Sequence, residues 1–157
     1  TSRFFGWVSY SFSRSERRST LWEDTSYRLA QFDQPHHLIA VASYKWPLDV
    51  VTGLRFQYAS GNLSTPFPST VYDSDADMYM PVPGKFFSVR GPDFVSLDLR
   101  IDKRFVFQQW SVNVFLDVQN VTNNTNGEFV LYNFDYSRSQ YVRGLPIFPT
   151  LGLKAEF

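Results

Sequence analysis

The chain has 157 residues, a length that suits one domain or a piece of a larger one. Its 15 Lys and Arg balance its 15 Asp and Glu, and a net charge of zero argues against a protein held to nucleic acid by neutralising phosphates. The absence of cysteine excludes disulfides and thiolate metal sites, and two adjacent histidines, His36 and His37, are too few for a multi-histidine site.

The first half of the chain has a period of two in its apolar residues, which is typical of β-strands. The alternating runs are "FFGWVSYSFSR", "HLIAVASYKW" and "DVVTGLRFQYAS". In the third run, Leu54 and Phe56 fall on one face while Arg55 and Gln57 fall on the other. These runs predict three strands, the second and third joined by a short turn at Pro47.

The second half repeats the pattern in "VSLDLRIDKRF", "WSVNVFLDVQ" and "LGLKAEF". In the first of these runs Leu97 and Leu99 oppose Asp98 and Arg100. The second run follows the same rule except at Phe115, which falls on the polar face. About six antiparallel strands are therefore predicted, with an all-β fold.

The connectors between these runs alternate in length. Long polar stretches occupy residues 15–35, 61–93 and 120–148, whereas short turns lie at Pro47 and around Gln108. Structureless loops of this length are uncommon in compact domains, but outer-membrane barrels combine long extracellular loops with short periplasmic turns. The pattern therefore predicts antiparallel transmembrane β-barrel strands.

Two further features fit a membrane location. No apolar run approaches the roughly 20 residues of a membrane helix, but a membrane β-strand needs only about 9–11 residues and alternates. The apolar sets carry almost no charge across their middles, and aromatic residues gather at both ends as two girdles: Trp46, Phe105, Phe107 and Trp110, then Tyr10, Phe12 and Tyr58. The alternative is that these aromatics fill the core of a soluble β-protein.

Several stretches, taken in order, resemble the C-terminal β-barrel portion of TonB-dependent outer-membrane receptors. The longest is "LDLRIDKRFVFQQWSVNVFLDVQNVTNNTN", which resembles the last barrel strands of that family. "FDQPHHLIAVASYKW" is similar to a strand start, "YDSDADMYMPVPG" and "YNFDYSRS" are similar to extracellular loops, and "GLPIFPTLGLKAEF" resembles the closing strand.

The resemblance implies that residues 1–157 are the C-terminal part of one barrel domain of about 22 strands. Six strands alone would leave two open edges in lipid, so we expect further strands and a plug to complete the barrel. The implied partners are outer-membrane lipid, TonB through the N-terminal part, and the barrel-assembly machinery. In the family that machinery recognises a terminal aromatic, so Phe157 is expected to be an assembly signal and the native end, with Thr1 the truncated edge.

Charged residues on the face opposite the apolar one are expected to point into the barrel lumen. They are Arg55, Asp98, Arg100, Asp102, Asp117, Lys154 and Glu156. One interpretation is that they contact the plug or form a charged path for a ligand. The other is that they form ion pairs between neighbouring strands, which is favoured for most of them because the signs alternate.

Aromatic residues are frequent in the predicted long loops. Tyr72, Tyr79, Tyr132 and Tyr136 are the candidates for a ligand-binding rim, since exposed aromatic residues often anchor binding. Packing of the loops on themselves explains these residues equally well.

Other chemistry is weakly indicated. Asp73, Asp75 and Asp77 resemble the first half of a calcium-binding EF-hand loop, but the later Gly and bidentate Glu are missing, so a solvated loop is favoured and no metal is predicted. His36 and His37 are interpreted as rim residues. With no nucleophile elbow and no phosphate-binding loop, neither an enzyme nor a cofactor is predicted.

The predicted function is that of a TonB-dependent receptor in the bacterial outer membrane, taking up a scarce ligand such as a metal chelate, a vitamin or a saccharide. One alternative is a passive porin-like or small structural barrel. Another is a secreted all-β carbohydrate-binding module.

Overall fold

The computed structural model describes residues 3–18 and 26–157, and these residues form an all-β structure with antiparallel sheets. The helical part of these ranges is a single 3₁₀ turn, Pro47–Asp49. The strands are β1 (Phe4–Phe12), β2 (Glu16–Arg17), β3 (Arg28–Leu29), β4 (His36–Trp46), β5 (Val50–Ala59), β6 (Leu63–Ser64), β7 (Ser69–Asp73), β8 (Met78–Val82), β9 (Val89–Arg90), β10 (Phe94–Val106), β11 (Ser111–Gln119), β12 (Gly127–Tyr132), β13 (Ser139–Arg143) and β14 (Phe148–Glu156).

The six long strands form one sheet in the order β1-β4-β5-β10-β11-β14. Each long strand lies beside the next long strand along the chain and runs antiparallel to it. They coincide with the six alternating runs, so the prediction of six antiparallel strands is confirmed. Alternation is a dependable signal here because it persists over 9 to 13 residues in every long strand.

The register assigns each residue of this sheet to one of two faces, because directly opposed residues lie on the same side. Leu99 opposes Leu54, and one residue away Asp98 opposes Arg55. We call the side that holds Leu54 and Leu99 the apolar face, and the side that holds Arg55 and Asp98 the polar face.

Two short turns join strands at one end of the sheet. The β4–β5 turn contains Leu48 and Asp49, both with positive φ, at 65° and 54°. The β10–β11 turn spans residues 107–110, where the Phe107 N–H donates to the Trp110 carbonyl at 2.9 Å and the two rings stack 4.3 Å apart. Both turns are where the sequence predicts them.

The three long connectors lie at the opposite end of the strands, and their described residues include short strands that the sequence does not predict. They contain the two-stranded hairpins β2–β3, β7–β8 and β12–β13 and the pair β6–β9. These strands have only 2 to 6 residues, which is too short for a period of two to stand out in the sequence.

Side-chain burial is reversed relative to an ordinary globular domain. The buried apolar residues of the described ranges are Ala30, Ala59 and Leu63, whereas the buried polar set is larger: Asp33, Ser60, Ser96, Asp98, Ser111, Asn120 and Asn126. The large apolar side chains of the sheet are therefore mostly outside, and the polar face is the better packed of the two.

The sheet is open within the described ranges. Strand β1 pairs with β4 and strand β14 pairs with β11, and the two outer strands do not pair with each other. Each outer strand consequently presents one row of backbone groups that no described strand completes.

Candidate functional site

The centre of the polar face is the carboxylate of Asp98, which is 6% exposed. Arg55 on the neighbouring strand donates to it from Nε at 2.8 Å and from Nη2 at 2.6 Å. The Ser96 hydroxyl and the Asn120 backbone N–H each donate to its other oxygen at 2.8 Å. Four donors on one carboxylate fix β10 to β5 and to the end of β11.

A second charged group is built around Arg100. Its guanidinium donates to Asp102 at 2.8 and 2.9 Å and to Asp117 across the β10–β11 pair at 3.4 Å. It also lies 4.1 Å from the centroid of the Phe115 ring. That ring in turn covers Gly152, where an added Cβ would overlap it. Phe115, the exception in the alternating pattern, therefore packs between Arg100 and Gly152.

The third group lies near the short turns. Arg104 contacts Glu156 at 3.4 Å and donates to the Ser111 hydroxyl at 3.1 Å, and Lys154 contacts Glu156 at 2.7 Å. All the residues predicted to face a lumen thus share the polar face, and each has an oppositely charged partner: Arg55, Asp98, Arg100, Asp102, Asp117, Lys154 and Glu156. Contact with a plug or a ligand stays a prediction.

The apolar face carries exposed aliphatic side chains across its whole width. The exposed fraction is 71% for Val8, 46% for Leu54, 40% for Leu116 and 74% for Leu151. Its one lysine in β10, Lys103, lies at the end nearest the short turns, where the ammonium donates to the Leu48 carbonyl. The middle of this face therefore carries no charged side chain over β5, β10, β11 and β14.

Two of the three long connectors are held to each other by a buried ion pair. Asp33 is 2% exposed and pairs with Arg90 at 2.7 Å. It also accepts the Ser15 N–H at 2.8 Å, while Arg90 donates to the Gly61 carbonyl at 2.7 Å. The Ser15 N–H, followed by the Arg90 guanidinium, keeps the pKa of Asp33 below its ordinary value despite burial. The pair joins the β1–β4 connector to the β5–β10 connector.

The four tyrosines predicted to form a rim meet in one cleft of ≈ 810 Å³. Tyr72 and Tyr79 come from the β7–β8 hairpin, with ring centroids 5.1 Å apart. Tyr132 ends β12 and Tyr136 lies in the following turn, with centroids 5.5 Å apart. We call this space the aromatic cleft.

Two phenylalanines complete the aromatic cleft. Phe67 packs edge-on against Tyr132 at 5.3 Å and Tyr136 at 5.7 Å, and Phe134 packs edge-on against Tyr79 at 5.8 Å. Sequence reasoning missed Phe67. Its position between Pro66 and Pro68, in "TPFPS", was the signal that could have found it, because Pro66 fixes its own φ and Pro68 restricts the backbone of the residue before it.

The three aspartates of "DSDAD" do not converge on a common point. Asp73 accepts the N–H groups of Asp75 and Ala76 at 3.0 and 3.2 Å, closing the hairpin turn. Asp77 accepts the Tyr72 hydroxyl at 2.5 Å, and this bond raises the pKa of Tyr72. In the ranges 3–18 and 26–157 no group of His, Cys, Asp or Glu is placed to hold a metal ion.

The other single-residue predictions lie at the ends of the sheet. The ring of His36 accepts or donates a 2.8 Å hydrogen bond with the Tyr10 hydroxyl at the start of β4, and Phe12 packs 5.4 Å from it. The side chain of Phe157 follows β14 and is 100% exposed. Its role as an assembly signal stays a prediction.

A second cleft, of ≈ 710 Å³, lies between the connectors and is basic. We call it the cationic cleft. Its basic lining residues are Arg14, Arg28, Lys85 and Arg90. Among these residues, Arg14 contacts Glu16 at 2.6 Å and Arg90 contacts Asp33 at 2.7 Å.

Comparisons with family models, curated proteins and solved structures returned no match to this chain. Among the residues that the structure describes, none belongs to a helix long and apolar enough to cross a membrane. The two faces of the sheet and the two clefts are therefore the basis for assigning a function.

Proposed function

We propose that the six long strands form part of the wall of an outer-membrane β-barrel, with the apolar face toward lipid and the polar face toward the lumen. The observation that carries this proposal is the reversal of burial across the sheet. Asp98 and Ser96 are each 6% exposed, whereas Leu151 on the other side is 74% exposed. Apolar side chains in that position are favourable against lipid and unfavourable against water.

The dimensions of the strands support the proposal. The long strands have 9 to 13 residues, and a tilted membrane β-strand needs about 9–11. Both short turns lie at one end of the strands and the three long connectors at the other end, which matches periplasmic turns and extracellular loops. Trp46, Phe107 and Trp110 at the turn end, and Tyr10 and Tyr58 at the other, suit the two headgroup levels.

The open edges argue for a larger barrel. Unpaired backbone N–H and C=O groups in hydrocarbon cost several kcal/mol each, on the order of a lost hydrogen bond in an apolar solvent. Strands β1 and β14 each present such a row. We infer that further strands close the wall, in a barrel of about 22 strands as the family resemblance implies.

The connectors favour a receptor over a passive pore. The buried Asp33–Arg90 pair joins the β1–β4 connector to the β5–β10 connector, and the β7–β8 and β12–β13 hairpins build the aromatic cleft. Fixed extracellular loops that form a cleft are suited to capturing a ligand. Together with the resemblance, this supports a TonB-dependent receptor that imports a scarce ligand with energy supplied through TonB.

The test uses the full-length protein that carries this chain. We expect it to require detergent for extraction from outer membranes, to shift in gel mobility on heating, and to bind the periplasmic domain of TonB. In liposomes it should not admit small sugars, because a plug fills the lumen. Liposome swelling without TonB binding would instead identify a passive pore, and extraction without detergent would overturn the membrane proposal altogether.

A further inference from the structure

We propose that the aromatic cleft binds a neutral saccharide, which names the ligand class for the receptor proposed above and rests on that function. Four properties of the cleft suit such a ligand: its exposed rings, its unpaired hydroxyls, its charge and its rigidity.

The rings are presented rather than buried. Phe134 is 80% exposed and Tyr72 is 51% exposed, although both rings pack against Tyr79. A sugar ring has an apolar face of C–H groups, and flat aromatic surfaces that are only partly covered bind such faces. The cleft of ≈ 810 Å³ lies within the size range of small-ligand sites, about 300–1,000 Å³.

The hydroxyl groups are also placed for a polyol. Tyr72 is engaged with Asp77, but the hydroxyls of Tyr79, Tyr132 and Tyr136 have no hydrogen-bond partner among the described residues. A phenol both donates and accepts. Three such groups around apolar rings match the alternation of hydroxyls and C–H faces on a saccharide.

The charge of the cleft excludes an anionic ligand. No Lys or Arg belongs to its described lining, and its single charged group is the carboxylate of Asp77. An anionic chelate would meet a like charge there with no compensating cation.

The cleft is held rigid before a ligand arrives. Tyr136 has a positive φ of 58°, an uncommon backbone conformation for a bulky residue. Its turn is fixed because the Tyr136 N–H donates to the Asn133 carbonyl, Asn133 accepts the Arg138 N–H at 2.9 Å, and Asp135 accepts the Ser137 hydroxyl at 2.7 Å. A preorganised site loses less conformational freedom on binding.

The test measures binding to the full-length protein in detergent by calorimetry. The probes are short neutral oligosaccharides of glucose, mannose, galactose and xylose, with a ferric catecholate as the anionic comparison. We expect at least one oligosaccharide to bind and Phe134→Ala to weaken it about tenfold, the loss of one aromatic anchor. The control is Phe32→Ala, another exposed phenylalanine of the connectors that lies outside the cleft (66% exposed), which should leave affinity unchanged.

Three results would overturn the inference: no neutral oligosaccharide binds, Phe134→Ala leaves binding intact, or the ferric catecholate binds and Phe134→Ala weakens it. If these occur while the protein still requires detergent and binds TonB, only the saccharide inference fails. If an oligosaccharide binds through the cleft but the protein is extracted without detergent, the site stands and the membrane proposal fails.

Discussion

The two faces of the six-stranded sheet are built from alternate residues of the same strands, yet they have opposite chemistry. On β10, Ser96 and Asp98 are 6% exposed and fully hydrogen-bonded, while Ile101 on the other face is 39% exposed. A soluble sheet buries its apolar side and solvates its charges. Neither the apolar face nor the polar face alone indicates whether the sheet lies in water or in lipid. The combination of exposed apolar side chains on one face and buried charges on the other is what favours lipid.

A charged residue on the apolar face should destabilise the protein more than any other substitution considered. Leu54→Arg lies at the middle of β5 and should destabilise the protein in lipid vesicles by about 2–4 kcal/mol, the cost of an arginine at mid-membrane. The measurement is the free energy of unfolding by urea from vesicles.

The matched control is Gln57→Arg, on the same strand and the opposite face. It should change the free energy of unfolding by less than about 0.5 kcal/mol, as for a surface substitution. Equal effects of the two variants would mean that the two faces meet the same solvent.

A second prediction concerns the polar face. Asp98→Ala removes the acceptor of Arg55, Ser96 and the Asn120 N–H, and should cost about 2–3 kcal/mol because hydrogen bonds to a buried charge are lost. Lys154→Ala, in a pair whose side chains are 67% and 51% exposed, should cost no more than about 1 kcal/mol. A larger loss of unfolding free energy in urea for Lys154→Ala than for Asp98→Ala would contradict the role given to Asp98.

Acid should loosen the connectors without affecting this difference between the faces. The pKa of Asp33 is lowered below its ordinary value of 3.8 in the folded state, so its stabilisation is complete above that value and is lost as the pH falls through the lower folded-state pKa. Hydrogen exchange of the Ser15 amide, corrected for its intrinsic rate, should then rise about tenfold.

Asp33→Asn is the control for this pH effect. It should show the faster exchange already at neutral pH and no further change on acidification. Unchanged protection of Ser15 in both the variant and the acidified protein would contradict the role given to the Asp33–Arg90 pair.

The smallest effect is expected where the Phe115 ring packs against Arg100. Gly152→Ala should cost about 1 kcal/mol, because the new methyl group displaces the Phe115 ring from its contact with Arg100. Gly53→Ala on the same face should be nearly neutral, since its Cβ would lie at an ordinary 3.9 Å from Arg100. Similar urea midpoints for the two variants would rule out this packing.

The sequence predicts the sheet well because its information is local. Alternation identifies each long strand, and the signs of Arg55 and Asp98 already suit a cross-strand pair. The same alternation extends to Arg104, which the predicted charged set omitted although it follows Arg100 and Asp102 at a period of two.

The clefts depend on information that is not local. Phe67 and Tyr132 lie far apart in the chain and meet only because two hairpins pack together. Strands as short as β6 have no periodic signal, and the Asp33–Arg90 pair joins connectors whose approach is set by the sheet beneath them. Residue type indicated the four tyrosines as a rim, but not that Phe67 would join them.

The most direct test of the proposed membrane wall is the accessibility of spin labels on its two faces. This chain has no cysteine, so, once any cysteine elsewhere in the full-length protein is replaced by serine, labels can be placed singly within it. The positions are Leu54→Cys and Leu151→Cys on the apolar face and Gln57→Cys and Thr150→Cys on the polar face. With the full-length protein in lipid vesicles, we predict that the first two are relaxed mainly by dissolved oxygen and the second two mainly by a water-soluble nickel chelate. Relaxation of all four labels by the nickel chelate would contradict the account.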